Sequence, residues 1–181
     1  ALILGTARQD VRIRAVILNG SRANPDIKKD IFQDYDILYA VTDTAPFIRD
    51  RAWIDRFGAR LYLQRPEELD AALGRQIDFT QNYGWLIQFE DGNRLDLHVC
   101  SLQHAKATIA QDSLSKILLD KDRVFSEIPA PSDKSYRVLP PDELHFYRCC
   151  NEFWWVQNNV GKGLWREELT YALEQLNFFI L

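Results

Sequence analysis

Two aspartates, at positions 34 and 36, are the side chains of this sequence best placed for chemistry. They flank Tyr35 inside an apolar stretch that continues with Ile37. In a β-strand the side-chain period is two, so Asp34 and Asp36 project from one face and Tyr35 and Ile37 from the other. Two carboxylates on one face repel unless they share a cation, and hard oxygen ligands suit Mg²⁺. The spacing predicts a metal site, with a solvated strand edge as the open alternative.

The turn at Gly20 and Ser21 adds a place for a phosphate group. It follows residues 12–18, whose β-branched and apolar side chains predict a buried strand. Gly20 supplies the backbone freedom for a sharp turn, and the following amides with the Ser21 hydroxyl can donate to an anion. Because many Gly-Ser pairs are plain turns, this role depends on what else lies nearby.

A third carboxylate, Asp96, lies in the second strand of a predicted hairpin. Residues 83–90 and 94–100 are strand-like and are separated by Asp-Gly-Asn, a strong hairpin signal. Asp96 stands between Leu95 and Leu97, so it faces away from both leucines. A carboxylate in a central strand costs stability unless it is paired or bound, so Asp96 is either a site residue or part of an edge strand. Together with the other two aspartates and the turn, it could bind a metal-bridged triphosphate.

The elements that must position these residues predict an α+β fold. We expect strands at residues 12–18, 35–41, 59–64, 83–90, 94–100 and 115–119, and helices before residue 10 and at 45–57, 66–73 and 102–110. Prolines are concentrated between residues 129 and 141, which is typical of a linker. The chain is therefore divided into parts at 1–128, 129–141 and 142–181.

The last part is aromatic and helix-periodic. Residues 142–159 and 164–181 predict two helices, with Gly161-Lys162-Gly163 as the break between them. We expect core stripes formed by Phe146, Cys150, Phe153, Trp154, Leu164, Leu169, Ala172 and Leu176. The apolar run at residues 178–181 predicts a helical domain that is cut short.

Composition argues against several classes of function. The 181 residues carry a net charge of −4 and are 46% hydrophobic, so we expect a buried core and no nucleic-acid partner, which would need a basic surface. The sequence lacks an apolar run of roughly 18–20 residues and a secretory leader, so we expect a cytoplasmic protein with no membrane partner. The three cysteines, Cys100, Cys149 and Cys150, fit neither a disulfide framework nor a zinc spacing.

Five motifs carry a resemblance to a known superfamily. They are Gly-Ser-Arg-Ala-Asn-Pro at 20–25, Phe-Gln-Asp-Tyr-Asp-Ile at 32–37, Phe-Glu-Asp-Gly-Asn-Arg-Leu-Asp-Leu at 89–97, Leu-Leu-Asp-Lys-Asp at 118–122 and Cys-Cys-Asn-Glu-Phe-Trp at 149–154. The pattern resembles the nucleotidyltransferase superfamily with a DNA polymerase β-like palm, and within it the aminoglycoside 6-adenylyltransferases, which are streptomycin adenylyltransferases. The resemblance implies a palm with a mixed β-sheet flanked by helices, followed by a C-terminal helical domain that we expect to be truncated here.

The resemblance also implies an activity and its residues. The activity is transfer of AMP from Mg-ATP to a hydroxyl of streptomycin, with release of pyrophosphate and inactivation of the antibiotic. The implied catalytic residues and Mg²⁺ ligands are Asp34, Asp36 and Asp96. The implied nucleotide-binding residues are Gly20, Ser21, Arg22 and Lys162. We expect Lys162 at the start of a helix in the second domain, with a solvated lysine as the alternative.

Acidic side chains are expected to recognise the acceptor, because aminoglycosides are polycations. Glu90, Glu152 and Glu167 are the residues predicted for this role, and a hairpin-turn role explains Glu90 equally well. The general base stays open between Asp96, Glu152 and Glu167, because a base must lie within hydrogen-bond reach of the acceptor hydroxyl. Two rival functions are a nucleotidyltransferase acting on another hydroxyl acceptor, on protein or RNA, and an antitoxin-like binding module without catalysis.

Overall fold

The computed structural model describes residues 2–125 and 127–179. The α-helices are α1 (Leu2–Gln9), α2 (Ala45–Arg49), α3 (Pro66–Ala72), α4 (Leu102–Gln111), α5 (Glu143–Trp165) and α6 (Leu169–Phe179). The strands are β1 (Ile13–Asn19), β2 (Tyr35–Val41), β3 (Arg60–Gln64), β4 (Asn82–Phe89), β5 (Arg94–Cys100) and β6 (Lys116–Asp120). Short 3₁₀ turns lie at Ser21–Ala23, Trp53–Phe57 and Lys134–Tyr136. The predicted α+β class is confirmed.

The six strands form one mixed sheet in the order β3-β4-β5-β2-β1-β6. Strands β2 and β5 pair in parallel, and the other neighbours pair antiparallel. The predicted hairpin is confirmed as β4 and β5, and β6 lies at an edge of the sheet. The parallel register sets Asp36 directly beside Asp96. The sheet therefore brings together two carboxylates that are 60 residues apart in the sequence.

Each face of the sheet has its own apolar core. On one face the largest fully buried side chains surround Trp53, which packs edge-on against Phe47 and Phe57. On the other face a smaller core that includes Leu38 and Cys100 contacts α4. Because side chains alternate along a strand, Asp36 and Asp96 share this second face. All three aspartates of the predicted site are only partly buried.

The helix expected at residues 45–57 is interrupted. Helix α2 ends at Arg49, and a separate 3₁₀ turn occupies Trp53–Phe57. Asp50 leaves the helical backbone conformation, with φ −84° and ψ 87°, and its carboxylate accepts the Ala52 N–H at 3.2 Å. Aspartate competes in this way with helical hydrogen bonds. The apolar side chains Phe47, Trp53, Ile54 and Phe57 are nevertheless buried.

The prediction of a helix break at Gly161-Lys162-Gly163 is wrong. Helix α5 continues to Trp165, and the reversal follows at Arg166 and Glu167, which adopts a left-handed conformation with φ 59°. Gly163 has a packing role instead, because a Cβ there would lie 2.9 Å from the Ala172 Cβ in α6. A residue without a side chain lets two helices approach closely, so the glycine indicates a contact and not a break.

The core stripes expected in the helical part are mostly exposed. Phe146 is 61% exposed, Trp154 is 70% and Leu164 is 59%, whereas Val156 and Ala172 are buried. Two antiparallel helices bury only the line along which they touch, so most of each apolar stripe stays accessible. The prediction is correct for Ala172 and wrong for Phe146, Trp154, Leu164, Phe153 and Leu169, which are exposed.

The chain divides into two compact units, Ala1–Arg137 and Val138–Leu181. The division falls inside the segment predicted as a linker, 129–141. The start of that segment is tied to the first unit, since the Ser113 hydroxyl donates to the Ser132 carbonyl at 2.6 Å. The domain boundaries 1–128, 129–141 and 142–181 stay predictions. Among the described helices, each is too short or too polar to cross a lipid bilayer.

Candidate active site

The structure brings Asp34, Asp36 and Asp96 together. One carboxylate oxygen from each lies within 4.8 Å of the others. Asp34 directly precedes β2, Asp36 is its second residue, and Asp96 is the third residue of β5. The parallel register of the two strands is what closes the cluster. We call these three residues the acidic cluster.

The electrostatics of the cluster centre on Asp36. Burial raises its pKa to about 6, and the neighbouring charges of Asp34 and Asp96 act in the same direction. Arg94 lowers this pKa and offsets part of the effect. A carboxylate with a raised pKa gains from any further positive charge at the site. The cluster is therefore built to accept a cation.

Arg94 is a component of the site that the sequence reasoning missed. Its Nε and Nη2 donate to the two carboxylate oxygens of Asp96 at 2.9 and 2.6 Å. Its Nε also lies 3.7 Å from an Asp34 oxygen. The signal was present, because Arg94 and Asp96 are spaced i, i+2 on one strand and must share a face.

Gly20 lies against Asp36. It is in the left-handed region with φ 67°, and a Cβ at this position would lie 2.2 Å from the Asp36 Oδ2. Asn19, the residue before it, pairs with Asp36 in the β1–β2 register. The Gly-Ser turn therefore leaves the space that the carboxylate occupies. Ser21 begins the 3₁₀ turn that follows.

Arg22, which was predicted to bind the nucleotide, contacts backbone carbonyls in the structure. Its Nε donates to the Asp34 carbonyl at 2.8 Å and its Nη2 to the Gln33 carbonyl at 2.6 Å. The guanidinium carbon lies 3.8 Å from the centre of the Tyr35 ring. These contacts fasten the backbone that leads into β2 and thereby help to position Asp34. Nucleotide binding by Arg22 stays a prediction.

Of the other predicted site residues, Lys162, Glu152 and Glu167 belong to the second unit, whereas Glu90 lies on the β4–β5 hairpin. Lys162 is in the last turn of α5, so the prediction that it starts a helix is wrong. Glu152 is exposed on α5 and Glu167 lies between α5 and α6, both in the second unit. Glu90 is exposed after β4 and lines a cavity of about 470 Å³ that also contacts Tyr35 and Arg94. The roles assigned to these residues stay predictions.

A smaller cavity of about 270 Å³ lies directly beside the cluster. It is lined by Asp36 and Asp96 together with His98, His104 and Thr108, among others. Burial lowers the pKa of His98, whose Nδ1 lies 3.2 Å from the Asn82 Oδ1. Neither histidine is among the predicted site residues. For His98 a signal was available in the sequence, because it follows Asp96 at i+2 on one strand and therefore shares its face.

The chemistry of the donor set fits a divalent cation such as Mg²⁺. All three groups are carboxylates, and their oxygens are close enough to share one ion.

Known proteins are similar to this chain along nearly its whole length. The family profile described as Streptomycin adenylyltransferase matches residues 1–180. This chain belongs to the streptomycin adenylyltransferase family. The chain is 41% identical over 177 residues to the aminoglycoside 6-adenylyltransferase of Bacillus subtilis (strain 168), covering 97% of this chain and 61% of that protein. The protein of the same name from Staphylococcus aureus is 36% identical over 177 residues, covering 97% of this chain and 62% of that one.

A solved member supports the family at the level of the fold. The crystal structure of an aminoglycoside 6-adenyltransferase from Bacillus subtilis aligns with a TM-score of 0.55 and 35% identity. The alignment covers 99% of this chain and 60% of that structure. The chain thus spans about three fifths of the length of the family members that it matches.

Proposed function

We propose that this chain transfers AMP from Mg-ATP to a hydroxyl of streptomycin and releases pyrophosphate. The observation that carries the proposal is the acidic cluster, three carboxylates whose oxygens lie within 4.8 Å beside a glycine turn. Membership of the streptomycin adenylyltransferase family supports it, as do relatives named aminoglycoside 6-adenylyltransferase. Such a transfer would inactivate the antibiotic and confer resistance.

Asp34, Asp36 and Asp96 are the residues that would hold Mg²⁺. When bound, this ion supplies positive charge that neutralises the triphosphate and stabilises the developing charge. The Ser21 hydroxyl and the amides that follow Gly20 are the groups that would bind phosphate oxygens. The acceptor oxygen forms a bond to the α-phosphorus, and the bond from that phosphorus to the bridging oxygen breaks as pyrophosphate leaves. Lys162 and Arg22 stay proposed nucleotide contacts.

The acceptor is proposed to be a cationic aminoglycoside. The chain carries a net charge of −4, and the cavity next to Arg94 has Glu90 and Asp91 in its wall. Acidic side chains favour a polycation, and Glu152 and Glu167 are proposed to contribute from the second unit. The hydroxyl proton is proposed to pass to Asp96, Glu152 or Glu167. Because ATP is the co-substrate, we propose action in the cytoplasm.

The test is direct incubation of the chain with ATP, Mg²⁺ and streptomycin. We expect pyrophosphate release and a product whose mass exceeds that of streptomycin by one adenylyl group. Omitting the acceptor is the control for plain ATP hydrolysis. Turnover with spectinomycin or kanamycin and not with streptomycin would replace the proposed acceptor. Absence of turnover with every aminoglycoside, RNA and protein acceptor would favour a binding module.

A further inference from the structure

We propose that Arg94 is an exchangeable counter-ion of the acidic cluster. Its guanidinium holds Asp96 while the cluster is free of metal, and it leaves when a divalent cation binds. It then becomes available to an anionic group of the bound nucleotide. This inference rests on the proposed function, because it takes the acidic cluster to be the metal site.

The first step is that two cations need the same oxygens. Arg94 engages both carboxylate oxygens of Asp96, at 2.9 and 2.6 Å. Asp96 is one of the three residues whose oxygens could hold one ion. Each oxygen keeps a second lone pair, but a metal ligated by Asp96 would place a divalent charge within a few ångströms of the guanidinium, and the two like charges repel. The guanidinium and the metal therefore compete.

The second step is that Arg94 can leave at low cost. Its side chain is 50% exposed, whereas that of Asp96 is 14% exposed. A half-exposed guanidinium returns to water at a small desolvation cost, and an arriving cation would replace its charge beside the less exposed Asp96. Arg22, the other arginine near the cluster, is held by two backbone carbonyls and the Tyr35 ring. Arg94 is thus the more readily released of the two guanidinium groups.

The third step is the destination of the released group. Arg94 is the first residue of β5 and lines the cavity of about 470 Å³, so it stands at the margin of the site. A guanidinium fork matches the oxygens of a phosphate as well as those of a carboxylate. A triphosphate brought to the cluster would offer such oxygens. Arg94 would then exchange one anion for another.

The test measures binding of Mn²⁺ alone by the electron paramagnetic resonance signal of the free ion. Arg94→Gln removes the competing charge, so we expect the apparent dissociation constant for Mn²⁺ to fall about three- to tenfold. Arg94→Lys keeps a charge without the bidentate fork. Its apparent dissociation constant for Mn²⁺ should lie between those of Arg94→Gln and wild type. The control is Arg75→Gln, which breaks an Arg–Asp pair with Asp70 on the surface of α3. It should leave Mn²⁺ binding unchanged.

A second titration uses α,β-methylene-ATP with Mg²⁺. Here we expect Arg94→Gln to bind about tenfold more weakly than wild type, because an anion partner is lost. Tighter Mn²⁺ binding with weaker binding of the analogue supports the exchange, and a purely structural role would not give opposite signs. Unchanged analogue binding would overturn the proposed contact with the nucleotide.

The outcomes distinguish failure of this inference from failure of the proposed function on which it rests. If wild type binds Mn²⁺ and Arg94→Gln binds it equally or more weakly, competition by Arg94 is overturned and the metal site stands. If wild type binds no Mn²⁺, the metal site and the role of Arg94 both fall. Thermal melting of each variant checks folding, and Arg94→Lys replaces the Gln variant if the latter does not fold.

Discussion

The acidic cluster and the helix pair α5–α6 differ in how well residue spacing predicts their structure. At the acidic end, i, i+2 spacing on strands correctly indicated which side chains come together. In the helix pair, periodic apolar residues indicated core stripes, yet Trp154 and Phe146 are largely exposed. A strand fixes the face on which each side chain lies, and the pairing register fixes which residue of the next strand lies beside it. A helical stripe is buried only where another element covers it.

The largest predicted effect comes from removing one carboxylate of the acidic cluster. We expect Asp96→Asn to lower kcat/KM for AMP transfer by at least about 1,000-fold, because a metal ligand is lost while side-chain size is kept. Pyrophosphate release with streptomycin measures it. Asp70→Asn, which weakens a surface pair with Arg75, is the control and should keep the wild-type rate. Comparable rates for both variants would remove Asp96 from the site.

The second prediction concerns the glycine that packs on the cluster. We expect Gly20→Ala to lower kcat/KM about 100-fold, because its Cβ would occupy the position of the Asp36 carboxylate. Gly74→Ala is a matched control, since Gly74 has φ 84° and a Cβ there would have no described atom within 4 Å. Gly74→Ala should lose about 1 kcal/mol from backbone strain, and Gly20→Ala about 1–3 kcal/mol, because its φ of 67° and ψ of −152° are a combination that essentially only glycine adopts. Equal activities would show that the close approach is unimportant.

In the helix pair, two glycines separated by one residue should respond with opposite signs. Gly163→Ala would force a Cβ to 2.9 Å from Ala172 and should cost about 1–3 kcal/mol. Gly161→Ala has no described atom within 4 Å of its new Cβ and should stabilise helix α5 by up to about 1 kcal/mol. Urea unfolding followed by circular dichroism measures both. Stabilisation by Gly163→Ala would contradict the packing contact.

The smallest effect is the pH dependence caused by Asp36. Its folded-state pKa is raised to about 6, above the value of about 3.9 expected when unfolded. The stabilisation from its proton is complete below about pH 4 and is lost as the pH rises through about 6. With EDTA present, Asp36→Asn should therefore melt about 2–4 °C above wild type at neutral pH, and the difference should vanish near pH 4. A difference independent of pH would contradict the raised pKa.

Much of the fold could be predicted because strands and turns have local signals. The hairpin at β4 and β5 follows from Asp-Gly-Asn between two alternating segments, and the cluster follows from Asp34, Asp36 and Asp96 sharing faces. Arg22 could not be placed, because its partners are backbone carbonyls that carry no sequence signal. The role of Gly163 was missed for a related reason. A glycine at a helix contact and a glycine at a helix end are identical in sequence, and only the position of α6 distinguishes them.

The most direct test of the central claim, that the acidic cluster holds the metal, is calorimetric titration of Mn²⁺. We predict one binding site in wild type and binding at least about tenfold weaker in Asp36→Asn, which removes a charge from the cluster. Asp43→Asn, exposed beyond the other end of β2, should match wild type. Equal Mn²⁺ affinity for wild type and Asp36→Asn would contradict the account.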